Sequence, residues 1–146
     1  MQPVTIVESK DLLGAWHLVS WSLVYADGRP PEFPLDEDAV GIIMYTADGH
    51  VSATLMQKQR PAAAPASDAD KATAYSQSFA YAGRYAVRDG AVFHSIKVAT
   101  NPALIGITST RYIELAGDRL ILSGPDFAAG SPRTQRIEWR RPPVAP

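Results

Sequence analysis

The side chains of this chain best suited to chemistry are one histidine, one arginine and a set of phenols and hydroxyls: Ser20, Tyr45, Ser52, Tyr81, Tyr85, His94 and Arg111. A histidine titrating near neutrality can exchange a proton, and an arginine can orient a carboxylate, an enolate or a carbonyl oxygen. Phenols join an apolar body to a polar tip, which suits a half-wet pocket. Each group also has a purely structural use. Arg111 could bond a backbone carbonyl, His94 could bond Ser20 or Tyr45, and the tyrosines could pack between strands. Ser20 and Ser52 either line a pocket or bond a neighbouring strand.

Other chemistry is excluded by what the chain lacks. It has no cysteine, so thiolate nucleophiles, disulfides and thiolate metal sites are out. His17, His50 and His94 are its only histidines and fall on separate segments, without the clustered spacing of a metal site. No phosphate loop, dinucleotide fingerprint or nucleophile elbow occurs, and no cofactor or metal is expected. The net charge of −1 provides no field to gather nucleic acid. No stretch approaches the ~20 apolar residues of a membrane span, and the N-terminus lacks the basic and apolar regions of a signal peptide. The expectation is a cytoplasmic protein without membrane insertion.

The elements that must position these groups are strands. Asp27-Gly28, Asp48-Gly49, Asp89-Gly90 and Gly117-Asp118 sit between segments rich in Val, Ile, Tyr, Trp and Thr. Such punctuation predicts hairpins, because a type I′ turn needs positive φ at both central residues. Eight strands follow: Ala15–Tyr25, Val40–Thr46, His50–Met56, Tyr81–Arg88, Ala91–Ala99, Thr108–Ala116, Arg119–Ser123 and Gln135–Arg140. Short connections make sequence neighbours sheet neighbours, and such a meander closes into an up-and-down antiparallel β-barrel without free edges. The acidic, proline-rich stretch Pro30–Asp38 is expected over the barrel mouth, and Arg60–Pro65 as a linker. Ser67 and the acids after it cap one predicted helix, Asp68–Ala80, placed as a lid or plug. One domain, 1–146, is the expectation.

Gly14-Ala15-Trp16 opens the first long strand as Gly-x-Trp, and Trp139-Arg140-Arg141 closes the last. This resembles the structural signature of lipocalins, in which the tryptophan plugs the closed end and a late arginine lies across its ring. The match continues through Leu13–Ser20, Gly41-x-x-x-Tyr45-Thr46-x-Asp48-Gly49-x-x-Ser52, Arg60-Pro61, Tyr81-x-Gly83-x-Tyr85, His94, Asn101-Pro102-x-x-x-Gly106 and Arg111. In this ordered set the chain resembles the short bacterial and fungal lipocalin-like domain family. The resemblance implies a barrel enclosing a small molecule, without naming it. Haem barrels of the nitrobindin type share the Gly-x-Trp opening, but they carry their iron-binding histidine late in the chain. Here nothing after His94 can serve, and no haem is expected.

If Trp16 points inward, strict alternation sends Leu18, Ser20 and Ser22 inward and His17, Val19, Trp21 and Leu23 outward. An apolar outward row calls for cover by a helix, a second subunit in a homodimer, or the N-terminal segment. On the fifth strand His94, Ile96 and Val98 are expected inside, because the other face carries Lys97. Arg111 shares the inward face with Ile113 and Leu115. Asn101-Pro102 and Gly106 are expected to form a turn at a barrel end.

These expectations describe a protein that holds an apolar or amphipathic small molecule, with Ser20, Tyr45, Ser52, Tyr81, Tyr85, His94 and Arg111 as its contacts. The alternative is a cofactor-free isomerase, cyclase or dehydratase acting on a polyketide- or terpenoid-like metabolite, with His94, Arg111 and Tyr45 as its catalytic groups. A third reading fills the barrel with its own aromatics and uses the Trp21 face for protein contacts.

Overall fold

The computed structural model describes residues 6–60, 63–125 and 132–143. Its strands are β1 (Gly14–Tyr25), β2 (Val40–Tyr45), β3 (His50–Met56), β4 (Ser78–Arg88), β5 (Ala91–Ala99), β6 (Thr108–Ala116), β7 (Arg119–Pro125) and β8 (Arg133–Arg140). All neighbours pair antiparallel, and β8 returns to β1, so the sheet is a closed barrel in sequence order. The two-residue turn between β4 and β5 is the predicted kind, for Asp89 and Gly90 both have positive φ (54° and 75°). Asp27-Gly28, by contrast, opens a long connection from β1 to β2.

The closed end is built around Trp16. Its indole N–H donates to the carbonyl of Leu12, at the end of the short helix α1 (Ser9–Leu12), at 2.9 Å. The Arg141 guanidinium lies 4.0 Å from the Trp16 ring centroid, and its two Nη groups donate to the carbonyls of Leu13 and Asp11. Trp16, Leu12, Trp139, Leu120 and Val92 are fully buried there and with Ile43, Leu55 and Leu122 form the core. Leu35, in the connection from β1 to β2, is buried against the same cluster.

Three expectations about the elements are corrected. The helix α2 covers Asp68–Ser76, capped by Ser67 as expected, but it stops short of Ala80 because Ser78–Ala80 belong to β4. Pairing with Met56, Leu55 and Thr54 of β3 takes up that segment and brings Phe79 against the core. On β1 a bulge intervenes, for Leu18 pairs with Trp139 while Ser20 pairs with Glu138. The extra residue, Val19, reverses the alternation. Trp21 and Leu23 therefore lie opposite the inward Ile137 and Gln135, whereas Ser20 and Ser22 lie opposite the outward Glu138 and Arg136. A second irregularity, in the β4–β5 pairing, sets Ala82 opposite Val98 and Gly83 opposite Ile96. Ile96 stays buried and Val98 turns out, 61% exposed. The outward apolar residues of the strands thus include Val19, as expected, with Val24, Ile42, Met44 and Val98, but not Trp21 or Leu23.

Candidate functional site

Directly opposed residues of an antiparallel pair face the same side of the sheet, so register assembles the interior. Tyr85 opposes His94, His94 opposes Ser109, and Val92 opposes Arg111. His94 is 1% exposed and held at both ring nitrogens: Tyr45 Oη lies 2.8 Å from Nε2 and Tyr81 Oη 2.9 Å from Nδ1. Burial, reinforced by the nearby Arg111 charge, pushes the His94 pKa down to about 3. Burial likewise pushes the Tyr81 phenol up to about 12, and raises the Tyr45 phenol well above its ordinary value. The three groups are therefore neutral at physiological pH. A neutral imidazole donates through one nitrogen and accepts at the other, so one phenolic hydrogen of the trio is left to be donated elsewhere.

Arg111 is buried, and its Nη1 donates to the Thr110 carbonyl at 3.1 Å. Room for its side chain comes from Gly124 on β7, where a Cβ would stand 2.9 Å from Arg111 Nη1 and 2.5 Å from the Thr110 carbonyl oxygen. Ser109, next to His94 across the strand pair, buries a hydroxyl with no hydrogen-bond partner among the described residues. The structural uses weighed for His94 and Arg111 are thus both present: one nitrogen of His94 on Tyr45, and Arg111 on a backbone carbonyl.

The other sequence candidates lie elsewhere. Tyr85 packs edge-on against Tyr45 with centroids 4.9 Å apart, but its hydroxyl donates to the Thr46 carbonyl at the closed-end turn. Ser20 lies on the outward face of β1. Ser52 does the same on β3, opposite the exposed Met44, and lines a shallow groove on the outside of the sheet. Neither serine reaches the interior. Arg60 donates to the Ala74 carbonyl of α2, and Pro61 lies outside the described residues. Asn101 caps a 3-10 helix, Pro102–Leu104, and Gly106 follows with φ of 89°.

A cavity of about 410 Å³ opens at the end of the barrel opposite Trp16. Trp21 and Leu23 of β1, Phe79 of β4 and Gln135 of β8 form its inner part; Leu35, Tyr75 of α2, Asn101 and Leu104 close over it. The expected placement of the acidic, proline-rich connection and of the helix around the mouth is therefore observed. The cavity joins the polar trio through aromatic rings. Trp21 meets Phe79 edge-on at 5.1 Å, and Phe79 stacks on Tyr81 at 6.3 Å with 10° between planes. No charged residue lines it among the described residues.

Trp21, Phe79 and Gln135 were not among the sequence candidates. Gln135 could have been found, since it lies two and four residues before the inward Ile137 and Trp139. Trp21 could have been found too, because the apolar positions switch from 16 and 18 to 21 and 23, with Ser20 and Ser22 between, as an extra residue in the strand would require. Phe79 was hidden in a segment that continues the helical run of α2.

No curated protein matches the chain. The family model described as lipocalin-like domain matches residues 13–141, from the residue before Gly14-Ala15-Trp16 through Arg141 on its ring. With the closed eight-stranded barrel, that match shows that the chain belongs to the lipocalin-like domain family.

Proposed function

We propose that this protein binds one apolar or amphipathic small molecule at the open end of its barrel. The observation that carries the reading is the mouth cavity: about 410 Å³, within the range that holds a small ligand, and lined by Trp21, Leu23, Leu35, Phe79 and Leu104 without a charge among the described residues. A lipocalin-like barrel suggests ligand binding in general. Beneath the cavity, Tyr81, Tyr45, His94 and Arg111 supply polar groups that a longer ligand could meet once Phe79 gives way. The chain is read here as one domain, since β1 to β8 close on one another. No described helix is long and apolar enough to cross a membrane.

The enzymatic alternative needs His94 to take a proton from a bound substrate. Both of its nitrogens are engaged by phenols, and burial holds it neutral down to about pH 3, which makes it a weak base. Binding is therefore the better-supported function. The test is titration with N-phenyl-1-naphthylamine, a neutral apolar dye that brightens on leaving water. The expected result is saturable one-to-one binding that is abolished by Leu23→Trp, which fills the cavity from its inner wall. Binding unchanged by that variant, or none at all, would sink the reading.

A further inference from the structure

The hydrogen-bond inventory of the mouth cavity identifies a class of ligand, resting on the binding reading above. Gln135 is 3% exposed, yet lines the cavity. Its Oε1 accepts the indole N–H of Trp21 at 3.2 Å. Because an indole nitrogen only donates, the oxygen must face Trp21, and the amide NH2 is the end left over. That NH2 makes no hydrogen bond among the described residues. Asn101 is arranged in the same sense: its Oδ1 accepts the Ala103 N–H at 3.0 Å, and its amide nitrogen is left over. The remaining polar lining is largely occupied. Thr100 Oγ1 takes the Ala80 N–H and donates to the Ala80 carbonyl, and Ser76 donates to the Ala72 carbonyl. The half-buried Ser78 hydroxyl and the Tyr75 phenol, exposed at the rim, can serve either way. The cavity thus offers a surplus of donors, no cation to hold a carboxylate, and apolar walls.

We infer that the ligand is an uncharged, largely apolar carbonyl compound whose C=O oxygen accepts a hydrogen bond from the Gln135 amide. A carbonyl brings acceptor lone pairs and no donor of its own to satisfy. A carboxylate would enter a cavity without a counter-charge, and a pure hydrocarbon would leave the buried NH2 stripped of water and unbonded.

Two fluorescent probes of matched shape test this: 6-propionyl-2-(dimethylamino)naphthalene, and its 6-propyl counterpart, which lacks the oxygen. Apolar burial alone favours the propyl compound. Wild-type protein is expected to bind the propionyl probe about tenfold more tightly. Gln135→Leu should erase that preference, and Gln135→Glu should reverse it, because a carboxylate still accepts from Trp21 but presents oxygen where the NH2 stood. The infrared C=O stretch of the bound propionyl probe should sit at a hydrogen-bonded frequency in wild type and at an apolar-solvent frequency in Gln135→Leu. Equal affinities in wild type overturn the carbonyl inference and leave the binding reading standing. So does a preference that survives in both variants while they unfold at the wild-type temperature. If the variants fail to fold, the wild-type stretch decides, and an apolar-solvent frequency overturns the inference. Failure of both probes to bind folded wild type overturns the binding reading with it.

Discussion

His94 lies between Tyr45 and Tyr81, in a place where adding a proton costs more than in water. Its ordinary value is 6.5 and burial brings it to about 3 in the folded barrel. Protons therefore bind the unfolded chain first as pH falls. The stability tied to the neutral imidazole is full above about pH 6.5 and is lost as acid approaches the folded value, by about 1.4 kcal/mol per pH unit. Urea unfolding at pH 7.5 and 4.5 should show wild type losing about 2 to 3 kcal/mol more than His94→Gln over that interval. Equal losses would mean the imidazole is not the sensor. At the other pole of the barrel, Arg141 stacks on Trp16 and caps the carbonyls of Leu13 and Asp11. Arg141→Ala should lower stability by about 2 kcal/mol, and Arg141→Lys should recover only part, because a single ammonium cannot cover the ring and reach both carbonyls. Chemical denaturation of the two variants checks the ranking.

Among the elements, the irregular points of the sheet set what faces the cavity. The extra residue Val19 turns Trp21 and Leu23 inward and Ser20 and Ser22 outward. Deleting Val19 would remove the bulge and leave Leu18, Trp21 and Leu23 inward in strict alternation with Ser20 and Ser22 still outward, so the shortened chain should keep cooperative folding; circular dichroism during heating would show it. Close approach between β4 and β5 makes a related demand at Gly83, where a Cβ would stand 1.9 Å from the Ser95 carbonyl oxygen. The neighbour is backbone and cannot swing away. Gly83→Ala should cost at least about 3 kcal/mol in urea unfolding, the range of severe overpacking. Gly83 does not have positive φ, so lack of space alone is at issue.

At the scale of the whole molecule, closure of β8 onto β1 removes every free edge and gives the barrel two unlike ends. One is packed solid around Trp16 and Trp139; the other keeps a cavity of about 410 Å³ between β-strand side chains and the loops that fold over them. A ligand that occupies the cavity binds only the closed, folded barrel. A probe present at one hundred times its Kd should therefore raise unfolding free energy by about 2.7 kcal/mol, read as a rise in Tm that grows with the logarithm of probe concentration. No rise under saturating probe would place the dye outside the fold.

Much of this was legible in the sequence because it rests on local and periodic features. Turn residues at Asp48-Gly49, Asp89-Gly90 and Gly117-Asp118 mark three hairpins, Gly-x-Trp with a late arginine marks the closed end, and alternation about Lys97 puts His94 inside. Arg111 is buried on the face that alternation gave it. What strict alternation missed was the bulge: one unpaired residue reverses every side chain beyond it, and its mark is the shift of apolar positions from 16 and 18 to 21 and 23, with serines at 20 and 22. The sequence by itself thus determined a closed barrel, its sealed end and its buried polar groups, since these depend on residue type and period. Tertiary structure alone decided that Phe79 leaves the helical run to line the mouth, that the mouth keeps a cavity, and that the Gln135 amide is turned with its NH2 free, since each depends on which strand lies opposite.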